Sequence, residues 1–237
     1  LFVVGLTCAG TFLTCVMSAY AFARLAAPGK GVLFVVLLSA LMLPPQITII
    51  PVFRLYSAFG WVNTLYPLWV PAWLGANVFG IFLLRQFFVT IPQDYIDAAR
   101  IDGAAEPVIL FRVFVPLSKP AVLTVLVFTF IGSWNDLWTP LVFVHDQDLY
   151  TLPVALIAFL SQTVGPQGVE WQLMMAASTI IITPLVIVFF YAQQYFIEGI
   201  TMIRLAPSAL IWSAISASAP ALMAIITMTA PTPMMTP

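Results

Sequence analysis

The chain has 237 residues, 62% hydrophobic and only 7% charged, with a mean hydropathy of +1.06 and a formal net charge of -1. A soluble domain carries about 25% charged residues, so no water-soluble fold covers this surface, and no basic patch offers footing to nucleic acid. A lipid-spanning helix needs roughly 20 apolar residues, and the several such stretches present make the fold class all-α, a polytopic helical membrane protein.

The opening run, 1–23, is apolar with Gly, Ala, Ser, Thr and Cys interspersed, and it ends at Arg24. Small residues let membrane helices approach closely, so this span is expected to pack against protein as well as lipid. It has no charged n-region and no small-residue cleavage site, and so does not read as a signal peptide. Starting at Leu1 inside an apolar run, it reads as a truncated N-terminus. Cys8 and Cys15 stand about 10 Å apart along one helix, too far for a disulfide, and the single His145 has no second metal ligand beside it. A second span, about 31–56, contains Pro44, Pro45 and Pro51 and is predicted to break or kink toward its far end. The third span runs about 65–89, with Trp61, Tyr66, Trp69 and Trp73 as an interfacial aromatic belt. After a polar loop at 90–119 the fourth span, about 120–144, carries Trp134, Asn135 and Asp136 inside it. The connection from His145 to Trp171 is expected to hold a short interfacial helix over Thr151–Leu160, and the last confident span is about 172–197. The tail, 202–237, loses all charge after Arg204 and reads as a disordered or aberrant end rather than a sixth span. Five confident spans result.

Positive charge orients them. Lys and Arg favour the cytoplasmic side. With the polar loop inside, alternation places Arg24, Lys30, Arg85, Arg100, Arg112, Lys119 and Arg204 in the cytoplasm and only Arg54 outside.

Charge concentrates between Arg85 and Lys119, in and just before the polar loop: Arg85, Arg100, Arg112 and Lys119 among eight basic residues, and Asp94, Asp97, Asp102 and Glu106 among nine acidic ones. Pro92 and Asp94 suit a helix start, and Gly103 suits the position just past a helix end. A second helix is expected from about Ala104 to Phe114, with Glu106 and Pro107 in its first turn. This helix–turn–helix would present Ala98, Ala99 and Ile101 on a small, apolar face fit to dock in a partner's groove. The plainer alternative is a juxtamembrane loop on lipid headgroups, with Asp97 paired to Arg100 at i,i+3 for a few tenths of a kcal/mol.

Asp97-Ala98-Ala99, then Gly103, then Val113-Phe114-Val115-Pro116 resembles the pattern E-A-A-x3-G-x9-I-x-L-P of permease subunits in binding-protein-dependent ABC importers. Asp replaces Glu, and Val replaces Ile and Leu, at unchanged spacing. Ile81–Phe88, Ile101–Ala104, Pro116–Ala121, Gly132–Asp136 and Tyr150–Pro153 are similar to the sugar-importer branch, in its maltose-type, MalG-like form. The resemblance covers about 1–201, the extent of one permease domain, and fades after Tyr195–Thr201. Such permeases have six spans, which implies that one precedes Leu1.

The resemblance implies a multi-pass protein of the bacterial inner membrane whose loop is a coupling helix. It implies that Asp97, Ala98, Ala99, Arg100, Asp102 and Gly103 meet a cytoplasmic ATPase subunit. A second permease subunit, an extracytoplasmic solute-binding protein and a small-molecule sugar substrate follow from the same likeness. The chain has no G-x4-G-K-[ST], so ATP belongs to a separate subunit and no cofactor is expected here. Intramembrane ionisable residues are functional candidates by default, which makes Trp134, Asn135 and Asp136 candidates for the translocation path; helix-packing glue is the alternative. An ion-coupled secondary transporter fragment would want several intramembrane acids or paired repeats, and only Asp136 qualifies. A membrane enzyme lacks support, since no H-E-x-x-H or nucleophile–base pair is visible and no catalytic residue is assigned.

Overall fold

The computed structural model describes residues 1–163 and 171–204, so the predicted tail beyond Arg204 and part of the last connection lie outside the described residues. The chain divides into two units, Leu1–Tyr195 and Phe196–Pro237; of the second, residues up to Arg204 are helical. Among the described residues there are helices and no strands.

Helix α1, Phe2–Arg24, is unbroken because it contains no proline, and it ends where Leu25 turns extended ahead of Pro28. It packs against α4 (Tyr66–Trp73), α5 (Val78–Thr90) and α9 (Lys119–Trp134). Close approach is achieved as the small residues predict: Gly10 abuts the Trp73 ring, and Gly80 of α5 abuts Cys15 and Val125. Polar bonds add to the apolar contact. The helix-terminal carbonyl of Ala72 has no intrahelical partner to count on, and it accepts a hydrogen bond from Thr14 Oγ1 at 2.9 Å. Trp73 Nε1 donates to Leu6 O at 3.0 Å.

The second span is broken, as its prolines predict. Helix α2, Lys30–Ser39, tightens into a 3-10 turn at Ala40–Met42, and α3, Pro45–Ala58, leaves at 104°. Leu43 and Pro44 are extended because a residue before proline is driven out of the helical region. Arg85 Cζ lies 4.2 Å from the Phe34 ring centre and holds α5 beside α2. The third span is two helices, α4 and α5, joined by a turn in which Gly75 adopts a positive φ of 81°.

The fourth span departs from expectation. Instead of one helix over 120–144, α9 stops at Trp134, Asn135–Leu137 is non-helical, and α10 covers Trp138–Phe143. The Asp136 carboxylate takes the N–H of Thr139 at 3.1 Å, a local side-chain bond that competes with helix continuation. Beyond it, α11 spans Leu152–Thr163, close to the predicted short helix, and α12 spans Trp171–Arg204. Among the described residues three segments, Phe2–Arg24, Tyr66–Thr90 and Met174–Tyr191, are long and apolar enough to cross a membrane, and up to five are if each bent pair counts as one. Each of the five overlaps an expected span.

The best-buried core sits at the loop end of the bundle. Phe88, Phe114, Ile96 and Ile109 are fully buried there together with Val16, Ala19 and Tyr20. Phe114 is its hub, edge-on to Tyr20 at 5.0 Å and to Phe88 at 5.3 Å.

Candidate functional site

The polar loop folds into a short helix, a reversal and a second helical segment. Ile91 is extended before Pro92, and α6 follows over Asp94–Ile101 with Asp94 and Asp97 in its first turn, where carboxylates complement the helix dipole. At 100° per residue the helix sorts its side chains. Ile96 is fully buried and Ala99 packs against the core, whereas Tyr95, Ala98 and Ile101 form an outward stripe, Ile101 being 86% exposed. The two adjacent alanines therefore do different things: Ala98 faces out, and Ala99 lets the helix sit close to the core, instead of both lining one docking face. Asp97, Arg100, Asp102 and Gly103 are exposed.

The reversal has the bonding of a Schellman motif. Ala104 N–H reaches Ala99 O at 2.9 Å and Gly103 N–H reaches Arg100 O at 3.0 Å, with Gly103 left-handed at φ 76°. The second helix starts later than predicted. Helix α7 covers Glu106–Ile109, a π-helical segment covers Leu110–Phe114, and α8 covers Val115–Leu117 before an 84° bend into α9.

Charges on the loop pair differently from the i,i+3 alternative. Arg100 bonds Glu106 Oε1 through Nη2 at 2.7 Å and Nε at 3.1 Å, while Asp97 accepts from Gln93 Nε2 at 3.2 Å. Once the Schellman turn reverses the chain, Glu106 lies nearer to the guanidinium than a residue one turn back along α6. Glu106 Oε2 also accepts from the Tyr20 hydroxyl of α1. The Tyr20 bond, then the Arg100 bond, hold the Glu106 carboxyl below the usual carboxylate range, and the Arg100 guanidinium is raised by the same Glu106 contact. One turn further along α1, Arg24 donates to Phe88 O at 2.7 Å, to Ile91 O, and to Gln93 Oε1 at 3.1 Å.

At the opposite end of α1 lies a cavity of ≈ 780 Å³. Thr7 and Thr11 of α1, Gln46 and Tyr56 of α3, Thr129 and Ser133 of α9, and Asn77, Asp136 and Thr139 all line it. Asn77 caps α5 by accepting from Gly80 N at 2.9 Å, and its amide donates to Thr129 Oγ1 at 3.1 Å, tying α5 to α9. Of the three path candidates, the structure brings Asp136 alone to this cavity. Trp134 is buried, donates to Ile181 O at 3.1 Å and borders a smaller space of ≈ 250 Å³; exposed Asn135 bonds back to Ile131 O at 2.9 Å. Sequence reading missed the rest of the lining. Its signal was a set of hydroxyl and amide side chains at helical spacing inside apolar spans, such as Thr7 and Thr11.

Comparison with known proteins bears on the whole arrangement. A family model described as "Binding-protein-dependent transport system inner membrane component" matches residues 10–202. The "Osmoprotective compounds uptake permease protein GgtD" of Synechocystis sp. is 38% identical over 184 residues, 77% of this chain and 60% of that protein. The "Arabinooligosaccharides transport system permease protein AraQ" of Halalkalibacterium halodurans is 34% identical over 78% of this chain and 64% of its own length. The chain thus spans under two thirds of these relatives. In fold it is similar, at a TM-score of 0.66 and 24% identity, to a chain of a bacterial ABC transporter involved in the import of the acidic polysaccharide alginate, covering 82% of this chain and 72% of that one. The chain belongs to the family of binding-protein-dependent transport permeases, as a multi-pass component of the inner membrane.

Proposed function

We propose that the chain is a permease subunit of an ABC importer that carries a sugar, with α6 docking into a cytoplasmic ATPase subunit. The observation that carries this reading is the outward stripe Tyr95–Ala98–Ile101 on a helix anchored to the core by Ile96 and Ala99. An exposed isoleucine and tyrosine flanked by Asp97 and Asp102 suit a groove with an apolar floor and a basic rim. The positive-inside distribution puts that stripe in the cytoplasm. A second permease subunit and an extracytoplasmic binding protein complete the assembly, following the family.

The cavity supports a sugar as cargo. Hydroxyl and amide groups from four helices and their connections converge on it beside Tyr56 and Trp138, within the ≈ 300–1,000 Å³ usual for small-ligand sites. Among the described residues Asp136 is the cavity's single charged lining residue, whereas an ion-coupled transporter would want several intramembrane acids.

Co-purification in mild detergent from the native host tests the reading. Wild type is expected to retain an ATPase subunit, and Ala98→Trp to lose it while staying in the membrane. Equal retention by both, or uptake that persists on an ion gradient after ATP depletion, refutes it.

A further inference from the structure

We propose that α1 clamps the chain on the two sides of α6 together, with Tyr20 and Arg24 as the positioning residues, so that movement of α6 reaches the cavity wall; this rests on α6 being the ATPase-docking helix. Tyr20 and Arg24 are four residues apart on one face of α1. They grip the chain on opposite sides of α6. Arg24 holds the entry, through the carbonyls of Phe88 and Ile91 and the side chain of Gln93. Tyr20 holds the start of α7, just past the reversal, through Glu106, whose other oxygen is bonded by Arg100 at the end of α6. The chain itself runs from α5 into the first grip and from the second, through α7 and α8, into α9; α1 bridges the two without being contiguous in sequence with either.

The space between the two grips is filled. Phe114 is fully buried against the rings of Tyr20 and Phe88, and Arg24 Cζ lies 5.5 Å from its centre. A close-packed junction passes displacement on instead of absorbing it. On the far side of α1, Thr11 and Thr7 line the cavity, nine and thirteen residues from Tyr20 or roughly 14 and 20 Å along an uninterrupted helix. Thr7 and Thr14 also bond carbonyls of α4, at 3.3 Å and 2.9 Å, so a shift of α1 takes α4 with it.

The test uses the complete importer in proteoliposomes, with loaded binding protein, and reads cargo moved per ATP hydrolysed. Tyr20→Phe removes the hydroxyl and keeps the ring against Phe114. It is expected to lower cargo per ATP roughly three- to tenfold, the scale of one lost hydrogen bond, with the ATPase subunit still bound. Glu106→Ala, which also releases Arg100, is expected to lower it at least as far. The double variant should be no worse than Glu106→Ala alone, because the Tyr20 hydroxyl has already lost its acceptor there. Glu106→Gln, which leaves an acceptor for Tyr20, should recover most of the loss. A change under about 1.5-fold in both singles overturns the clamp, as does a loss of assembled complex with an unchanged ratio per complex, or strict additivity. A wild-type complex that retains no ATPase subunit sinks the docking reading and the clamp together; a wild type that couples beside a Tyr20→Phe that couples equally well sinks the clamp alone.

Discussion

Replacing Gly10 by alanine isolates the α1–α4 contact. A Cβ built at position 10 would meet three atoms of the Trp73 ring, Cδ1 at 2.4 Å, Nε1 at 2.6 Å and Cγ at 2.8 Å. Real Cβ atoms do not approach ring carbons so closely, so the indole must move. Its escape is outward, since Trp73 is 39% exposed, and moving breaks its bond to Leu6 O. Overpacking costs about 1–3 kcal/mol and the lost bond about 1 kcal/mol. Alanine returns roughly 0.5–1 kcal/mol of helix propensity. The net is about 1–3 kcal/mol of destabilisation. Gly5 provides the control on the same helix: it is exposed, nothing lies within 4 Å of its Cβ position, and Gly5→Ala should be neutral or stabilising. Thermal unfolding in detergent should show opposite shifts, at about 2–4 °C per kcal/mol. Equal shifts for the two variants would refute the packing argument, and so would a Trp73→Ala background in which Gly10→Ala still costs its full amount.

Two further outcomes follow from single residues. Asn63 holds φ 60° and accepts from the N–H groups of His145 and Asp146 at 3.0 and 2.8 Å, pinning the connection before α4 to the one after α10. Asn63→Ala should cost about 1–2 kcal/mol in thermal unfolding, and Asn63→Gly, which keeps the backbone but not the bonds, less; equal costs would place the effect in the bonds alone. The depressed Glu106 carboxyl favours folding above the unfolded carboxylate pKa of about 4.3. That contribution is lost as pH falls through the lower folded-state value. Wild-type melting temperature should therefore drop relative to Glu106→Gln as pH is lowered below about 4.3, and parallel curves would remove Glu106 from the acid response.

Much of this architecture was written in local chemistry. Pro44 and Pro45 dictate the break between α2 and α3 by backbone geometry alone. Gly103 dictates the reversal after α6, because a left-handed residue there closes the Schellman bonds. The failures came where chain reversal or tertiary contact decides. Periodicity counts neighbours along one helix, so the alternative it offered for Arg100 was Asp97; the turn at Gly103 brings Glu106 closer. Hydropathy is blind to one carboxylate capping the next turn, so 120–144 read as one helix although Asp136 interrupts it. The cavity was illegible for a different reason. Its lining comes from segments more than a hundred residues apart, and Thr7, Asn77 and Thr139 acquire a shared meaning only once α1, α5 and α10 are packed.

The π-helical segment at Leu110–Phe114 makes chain length a mechanical quantity. A π turn is an α-helix carrying one residue more than its rise requires. Ile109 and Phe114 are both fully buried five positions apart, a spacing that shares a side in a π turn and falls out of phase in a regular helix. The nine residues between Gly103 and Val113 thus include most of a stretch that holds a surplus link. Excising exposed Phe111 or Arg112 would leave both anchors in place on an ordinary helix of the same reach, whereas the same excision in α6 would pull Gly103 back by a residue and unmake the reversal.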